Sequence, residues 1–323
     1  MKRIALLTSG GDAPGMNAAI RAVVRTALYH NLEVYGIRRG YQGMIEGDIF
    51  RMETTSVSNI MQRGGTILKT ARSKEFMTPE GRKKAYQQLQ KNGIEGLILI
   101  GGDGTFKGAN VFFKEYSLPA IGIPGTIDND IAGTDYTLGF DTAVNTAVEA
   151  IDKIRDTAEA HDRMFVVEVM GRDAGYIALN SGIACGAEDI LVPEEITNFI
   201  NIMKRISSDK RRKKLVNIIV VAEGDELGGA AAVKAKILEA FPEIDVRATI
   251  LGHIQRGGSP SYFDRVQASR MGYEAVNAIM AGETQVMIGL KNQEIIHTPF
   301  EKAIKEHAPL NLKMMEMARI LAS

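Results

Sequence analysis

The amino-acid sequence predicts an α/β protein whose sheets are mostly parallel, and three observations carry that prediction. Short runs of aliphatic and β-branched residues alternate with longer segments whose apolar residues recur at helical spacing. The runs are apolar nearly throughout rather than at every second residue, as strands covered on both faces require. Glycines and charged residues gather directly after the runs, at the edge where open parallel sheets bind their ligands. With 323 residues the chain can form two domains or one large α/β unit.

Taken in order, the run Ile4–Leu7 leads into Thr8-Ser9-Gly10-Gly11-Asp12-Ala13-Pro14-Gly15-Met16-Asn17, and a helix is expected over 18–29. Glycines there let backbone N–H groups approach phosphate oxygens, and the helix N-terminus adds a favourable partial charge. The pattern is neither the dinucleotide Gly-x-Gly-x-x-Gly nor a P-loop, and it equally suits a tight strand-to-helix turn. The runs Glu33–Ile37 and Leu97–Ile100 follow, the second delivering Gly101-Gly102-Asp103-Gly104-Thr105. Glycines make room for phosphates here too, and Asp103 offers a hard oxygen ligand suited to Mg²⁺. Gly-Gly-Asp stands at 10–12 and again at 101–103. Two nucleotide-type half-units and two unrelated turns both remain open as its origin.

The run Ala120–Ile123 leads into Pro124-Gly125-Thr126-Ile127-Asp128-Asn129-Asp130. Two carboxylates two residues apart can face one cavity, one accepting a proton while the other orients it, or they can be the solvated carboxylates of a turn. Val144, Ala147, Val148, Ile151, Ile154 and Ala158 trace one helical face, with Asp141 as the expected N-cap. Phe165–Val169 then delivers Met170-Gly171-Arg172, an arginine placed to meet a phosphate or developing charge. Further strands are expected at Ile190–Val192, Asn217–Val221 and Arg247–Leu251, and the basic run Lys210–Lys214 reads as a solvated helix end. The last two strands end in Ala222-Glu223-Gly224 and Gly252-His253-Ile254-Gln255-Arg256-Gly257-Gly258. Singly, Glu223 and His253 read as structural. Six strand ends in succession bearing Gly, Asp, Arg, Glu or His exceed what turn chemistry asks, and the set supplies what phosphoryl transfer needs.

Composition excludes several other classes. Lys+Arg and Asp+Glu balance at 39 each, so no global field draws the chain to nucleic acid or membrane. One cysteine, Cys185, rules out an intramolecular disulfide and a cysteine-rich metal site, and the five histidines are scattered. Ile4–Leu7 is too short for a signal segment, and no apolar run approaches the roughly 18 residues that span a bilayer. A cytoplasmic protein is expected.

Together, Thr8–Asn17, Gly64-Gly65-Thr66, Gly101–Thr105, Pro124–Asp130, Met170–Arg172 and Leu251–Pro260 resemble the bacterial ATP-dependent 6-phosphofructokinases along essentially the whole chain. The resemblance implies two Rossmann-like three-layer α/β/α lobes with the active site in the cleft between them. The ATP-binding lobe would be residues 1–139 plus 252–301, and the sugar-phosphate lobe 140–251 plus 302–323. It implies transfer of the ATP γ-phosphoryl group to the 1-hydroxyl of fructose 6-phosphate, with Mg²⁺ on Asp103. Gly11, Tyr41, Arg72, Ser73, Gly102, Asp103, Gly104, Thr105 and Gly108 correspond to the nucleotide site. Asp128 resembles the catalytic base, with Thr126 and Asp130 beside it and Gly11, Arg72 and Arg172 facing the transferring group. Met170, Gly171, Glu223, His253 and Arg256 resemble the sugar-phosphate contacts. Arg163 and Arg247 match arginines that the family donates from a neighbouring subunit, which implies a homotetramer.

A regulatory site for ADP or phosphoenolpyruvate is implied at Arg21, Arg25, Arg155, Glu188, Arg212 and Lys214. Asn59 stands where relatives usually carry aspartate, Thr54 where some carry arginine, and Tyr176 where aspartate is common. A pyrophosphate-dependent relative typically has Asp at the position of Gly104 and Lys at that of Gly125, so the small residues here favour ATP. Other kinases with a Gly-Gly-Asp-Gly-Thr run lack the later motifs, and a non-catalytic nucleotide sensor has no need of Asp128 and Arg172.

Overall fold

The structure, a computed structural model, describes residues 1–211, 217–305 and 308–322. They form two compact units: Met1–Ile127 with Ile131–Thr142 and Arg256–Ala308, and Asp128–Asp130 with Ala143–Gln255 and Pro309–Ser323. The first contains β1 (Arg3–Thr8), α1 (Met16–Tyr29), β2 (Glu33–Ile37), α2 (Gly40–Glu46), β3 (Ile49–Met52), α3 (Pro79–Lys91), β4 (Gly96–Gly101), α4 (Asp103–Tyr116) and β5 (Ala120–Pro124). Helix α5 (Phe140–His161) begins in it and runs on into the second. There follow β6 (Met164–Val169), α6 (Tyr176–Ala184), β7 (Asp189–Leu191), α7 (Phe199–Arg211), β8 (Asn217–Ala222), α8 (Gly229–Ala240) and β9 (Val246–Ile250). The chain returns to the first unit as α9 (Tyr262–Met280), β10 (Val286–Lys291), β11 (Glu294–Pro299) and α10 (Phe300–Lys305), and α11 (Leu312–Leu321) belongs to the second.

The first sheet has the order β11-β10-β5-β4-β1-β2-β3. Its five inner strands pair in parallel, and β3 and β11 close the two edges antiparallel. Because β1 pairs with β2 on one side and β4 on the other, the chain changes direction across the sheet between β1 and β4. A crevice opens at such a point, outside the carboxyl ends of the two strands. The second sheet, β7-β8-β6-β9, is parallel throughout.

All eight expected strands form, within one residue or so of the expected ends. β4 and β8 are buried at every position, which explains their near-continuous apolar sequences. Each fully buried Leu or Ile in them stabilises the fold by about 1.5–3 kcal/mol. Three further strands, β3, β10 and β11, form where none was expected. Helices α1 and α9 approach so closely that a Cβ on Gly272 would lie 2.7 Å from that of Ala22. The basic run continues α7 as far as Arg211, and its remainder lies outside the described residues.

Asp141 does not cap α5 but lies inside its first turn. The amides at that helix start are taken instead by Asp264 of α9, 1% exposed, which accepts from Gly139 N at 2.8 Å and Thr142 N at 2.9 Å. The Thr142 hydroxyl donates to the same carboxylate at 2.5 Å. Burial pushes this carboxyl up to about 6, while the hydroxyl and the two amides pull it down. Its folded value exceeds its unfolded value near 3.8, so its contribution to stability is complete below about pH 4 and declines as pH rises through about 6. Asp264→Asn puts an N–H where an acceptor is needed, and should cost about 1–3 kcal/mol in urea unfolding. The difference from wild type should widen from pH 7 towards pH 4.5, whereas equal unfolding curves at both pH values would refute this role.

Candidate active site

Within the first unit, the ends of β1 and β4 are stitched together. Ser9 N donates to Ile100 O at 3.0 Å, and the Thr105 hydroxyl donates to Ser9 O at 3.3 Å. A Cβ on Gly101 would stand 2.4 Å from both Ser9 O and Thr105 Oγ1, so that position admits no side chain. Gly102 precedes α4 in extended conformation, and Asp103 opens the helix with its carboxylate in the first turn. Anything bound here meets the amide end of a 14-residue helix.

Tyr41 is 7% exposed, donates to Thr105 O at 2.6 Å and stacks on Phe76 with ring centres 3.9 Å apart. Burial pushes its phenol up, and the hydroxyl is spent on the protein. The ring edge lies 2.9 Å from where a Cβ on Gly108 would stand, so Tyr41 forms a wall behind α4. Ser73 is likewise engaged internally, donating to Gln42 Oε1 at 2.7 Å and accepting from Phe76 N at 3.1 Å. Arg72 beside it is exposed. A Cβ on Gly104 would meet nothing within 4 Å, whereas one on Gly125 would touch Ile100 and Met16 at 3.0 Å. Thr126, at the end of β5, lies 4.0 Å from the Cβ position of Gly102. Arg256 also lies at this edge: it donates to Asp12 O at 3.3 Å, and its Nη1 is 2.6 Å from the Cβ position of Gly11.

Asp103 pairs with Lys107 one turn later at 2.8 Å. Among the described residues no group of three or more His, Cys, Asp or Glu could hold a metal ion. A divalent cation held at Asp103 would therefore draw most of its oxygens from a bound ligand and water. That donor set suits Mg²⁺, so the residues fit it.

Within the second unit, the loop after β6 is held from two sides. Glu223, just past β8, accepts from Arg172 N at 2.8 Å and Gly171 N at 3.3 Å through one oxygen. A Cβ on Gly224 would stand 2.0 Å from Arg172 O. From the turn after β9, Gln255, fully buried, accepts from Met170 N at 3.3 Å and donates to Gly252 O at 3.0 Å. The result is Gly171 at φ 144 and Arg172 at φ 54, a conformation an arginine adopts only when its surroundings impose it. Gln255 and Gly224 are positioning residues that sequence reasoning passed over. The carboxamide in a glycine-rich turn was the available signal.

Asp128 and Asn129 are buried, Asn129 at φ 55, and Asp130 is half-buried. Tyr176 ties the start of α6 to the segment before α11 by donating to Pro309 O at 2.9 Å. Burial pushes its phenol up to about 12, with Glu194 and Asp130 adding to the shift. His253 is exposed in the turn after β9.

Arg163 and Arg247 do not join this group. They lie at the opposite ends of β6 and β9, bound to one carboxylate: Arg163 Nε is 2.7 Å from Asp245 Oδ2, and Arg247 Nε is 2.9 Å from Asp245 Oδ1. The hydrogen bond from Arg163 holds that carboxyl below the usual range, and Arg247 adds to the effect.

The residues expected at a regulatory site fall into two groups. Arg21 and Arg25 line a cavity of about 240 Å³ in the first unit with Ser58, Asn59, Met61 and Gln62. In the second unit Arg155 donates to Cys185 O at 2.6 Å, and Glu188 is buried and accepts from Ile218 N at 2.7 Å. Arg212 and Lys214 lie outside the described residues.

No helix among the described residues is long and apolar enough to cross a membrane. The phosphofructokinase family model matches residues 3–279. The chain is 53% identical over 99% of its length to the ATP-dependent 6-phosphofructokinase of Cytophaga hutchinsonii, covering 98% of that protein. It is 55% identical to ATP-dependent 6-phosphofructokinase 1 of Thermus thermophilus, with both proteins covered in full. Among solved structures, phosphofructokinase from Saccharomyces cerevisiae superposes with a TM-score of 0.89 at 38% identity over 94% of this chain. The chain spans 45% of that yeast polypeptide. A pyrophosphate-dependent phosphofructokinase from Marinobacter aquaeolei shares the fold at a TM-score of 0.86 and 23% identity, over 97% of this chain and 86% of that one. With a family model covering most of its length and relatives more than half identical end to end, the chain belongs to the phosphofructokinase family.

Proposed function

We propose that the protein is an ATP-dependent 6-phosphofructokinase, transferring the ATP γ-phosphoryl group to the 1-hydroxyl of fructose 6-phosphate. The observation that carries this reading is end-to-end identity above one half to proteins of that name. The first unit supplies the nucleotide residues: Gly11, Gly102, Gly104 and Thr105 bring backbone to the phosphates, with Tyr41 and Gly108 behind them and Arg72 and Ser73 at the rim. Mg²⁺ on Asp103 would neutralise charge on the nucleotide phosphates when bound. Room beside Gly104 supports a nucleotide donor rather than pyrophosphate.

The second unit supplies most of the acceptor residues, and Thr126 and Arg256 come from the first. Asp128 accepts the proton of the sugar hydroxyl as that oxygen attacks phosphorus, with Thr126 and Asp130 orienting the hydroxyl and the carboxylate. Arg172, offered outward by the Glu223 clamp, stabilises charge on the transferring group. Met170, Gly171, Glu223, His253 and Arg256 hold the sugar phosphate. Arg163 and Arg247 are separated from Arg172 by the length of β6, about 17–20 Å, which no side chain spans. That separation supports their serving a second copy, and with it a homotetramer whose sites are shared. The arginine-lined cavity at Arg21 and Arg25 supports a regulatory anion such as ADP or phosphoenolpyruvate, and the resemblance adds Arg155, Glu188, Arg212 and Lys214 to the same role.

Purified protein with Mg²⁺ and fructose 6-phosphate should make fructose 1,6-bisphosphate with ATP and not with pyrophosphate. The reverse preference would overturn the donor, and no product with either would overturn the reaction. Asp128→Ser should lower kcat by about 10²–10⁴ with little change in KM, and normal turnover by that variant would remove Asp128 as base. Gly224→Ala drives a methyl into the Arg172 carbonyl and should displace that loop. A kcat loss of up to about 100-fold is expected, with ATP affinity measured by calorimetry unchanged.

A further inference from the structure

We propose that Asp245 is the positioning residue of a preformed anion fork, holding Arg163 and Arg247 side by side to receive a phosphate dianion from a second copy of this chain. The inference rests on the reading of those arginines given above and adds a residue to it.

The geometry begins with the sheet. β6 and β9 are parallel neighbours with Met164 opposite Val246, so the residues just before each strand, Arg163 and Asp245, come together at one edge. Met164 N donates to Asp245 O at 3.1 Å, which fixes the backbone of that pair. The side chain then divides its two oxygens. Arg163 donates through Nε to Oδ2 at 2.7 Å, and Arg247 pairs through Nε with Oδ1 at 2.9 Å and donates through Nη2 to Oδ2 at 3.2 Å.

Arg163 spends only its Nε edge on this contact, leaving its Nη donors in the planar fork that suits phosphate oxygens. The three side chains are 30%, 42% and 53% exposed for Arg163, Asp245 and Arg247, so the cluster faces outward. Two guanidinium groups without the carboxylate would repel each other and disperse among rotamers. With it they form one unit of net charge +1.

Two opposing effects decide the sign of removing the carboxylate. Losing a negative charge about 7 Å from a bound dianion favours binding by about two- to threefold in screened water. Losing the order of a long side chain disfavours binding by about two- to tenfold for each chain that must then be immobilised. Two arginines are held here, so positioning wins.

Steady-state kinetics on the full-length enzyme, with fructose 6-phosphate and then ATP varied, tests this. Asp245→Asn should raise the KM for fructose 6-phosphate about three- to tenfold, with kcat and the KM for ATP within about twofold of wild type. Asp245→Glu, which restores a carboxylate, should recover most of the loss. An unchanged or lowered KM in Asp245→Asn overturns the proposal, as does a fall in kcat with KM constant. Arg163→Ser and Arg247→Ser are measured in parallel. If they raise the KM and Asp245→Asn does not, the positioning role alone fails. If all three are silent, the phosphate reading of the arginines fails as well.

Discussion

A strand buried on both faces leaves no room along its length for a solvated charge. That constraint organises the molecule. β4 and β8 have every residue buried, so the polar chemistry of their chain segments is displaced to their ends. Gly102-Asp103 and Glu223-Gly224 stand directly beyond them, and the same holds for Thr126 after β5 and Met170–Arg172 after β6. In the first sheet the switch between β1 and β4 then opens a crevice where two glycine-rich ends lie side by side.

The displaced segments would be mobile loops if nothing held them, and a phosphoryl-transfer site needs groups held to fractions of an ångström. Each loop is pinned by the next strand end. Glu223 takes the amides of Gly171 and Arg172, Gln255 takes that of Met170, and Thr105 takes the carbonyl of Ser9. The positive φ of Arg172 costs conformational energy, which these contacts offset. One consequence is that substrate contact and support of the loop fall on the same residue. On the proposed reading, Glu223 both meets the sugar and fixes the arginine beside it, so its loss would not read as a single missing hydrogen bond.

How much of this was legible depended on the range of the interactions. Of the inner strands of the first sheet, β1, β2, β4 and β5 were visible because burial writes itself locally as apolar runs, and the glycine and acidic motifs stand out directly after such runs. The edge strands β3 and β11 were not: Arg51 interrupts the one and Glu294 and His297 the other, and edge strands with one open side tolerate such residues. Asp141 looked like the cap of α5 because capping is judged from neighbours in sequence. The group that takes those amides, Asp264, is 122 residues away from Thr142. Gln255 reaches Met170 across 85 residues, and nothing near either position announces the pairing. Tyr41 entered the expected nucleotide site through resemblance alone, and its packing against Gly108 shows the reason a glycine is needed there.

The two ends of the second sheet carry different obligations. The carboxyl ends of β6, β8 and β9 gather Arg172, Glu223 and His253, while the opposite ends of β6 and β9 gather Arg163, Asp245 and Arg247. On the proposed reading, the exposed arginine pair serves a phosphate that another copy brings to it. If two copies meet about a twofold axis, each donates the pair the other lacks, and the contact closes on itself without forming an open chain. The acceptor's affinity is then coupled to how the copies are arranged, because a rotation between them moves the arginines and leaves Asp128 and Arg172 where they were. On that arrangement, affinity for the sugar phosphate could be adjusted without disturbing Asp128 or the loop that the Glu223 clamp holds.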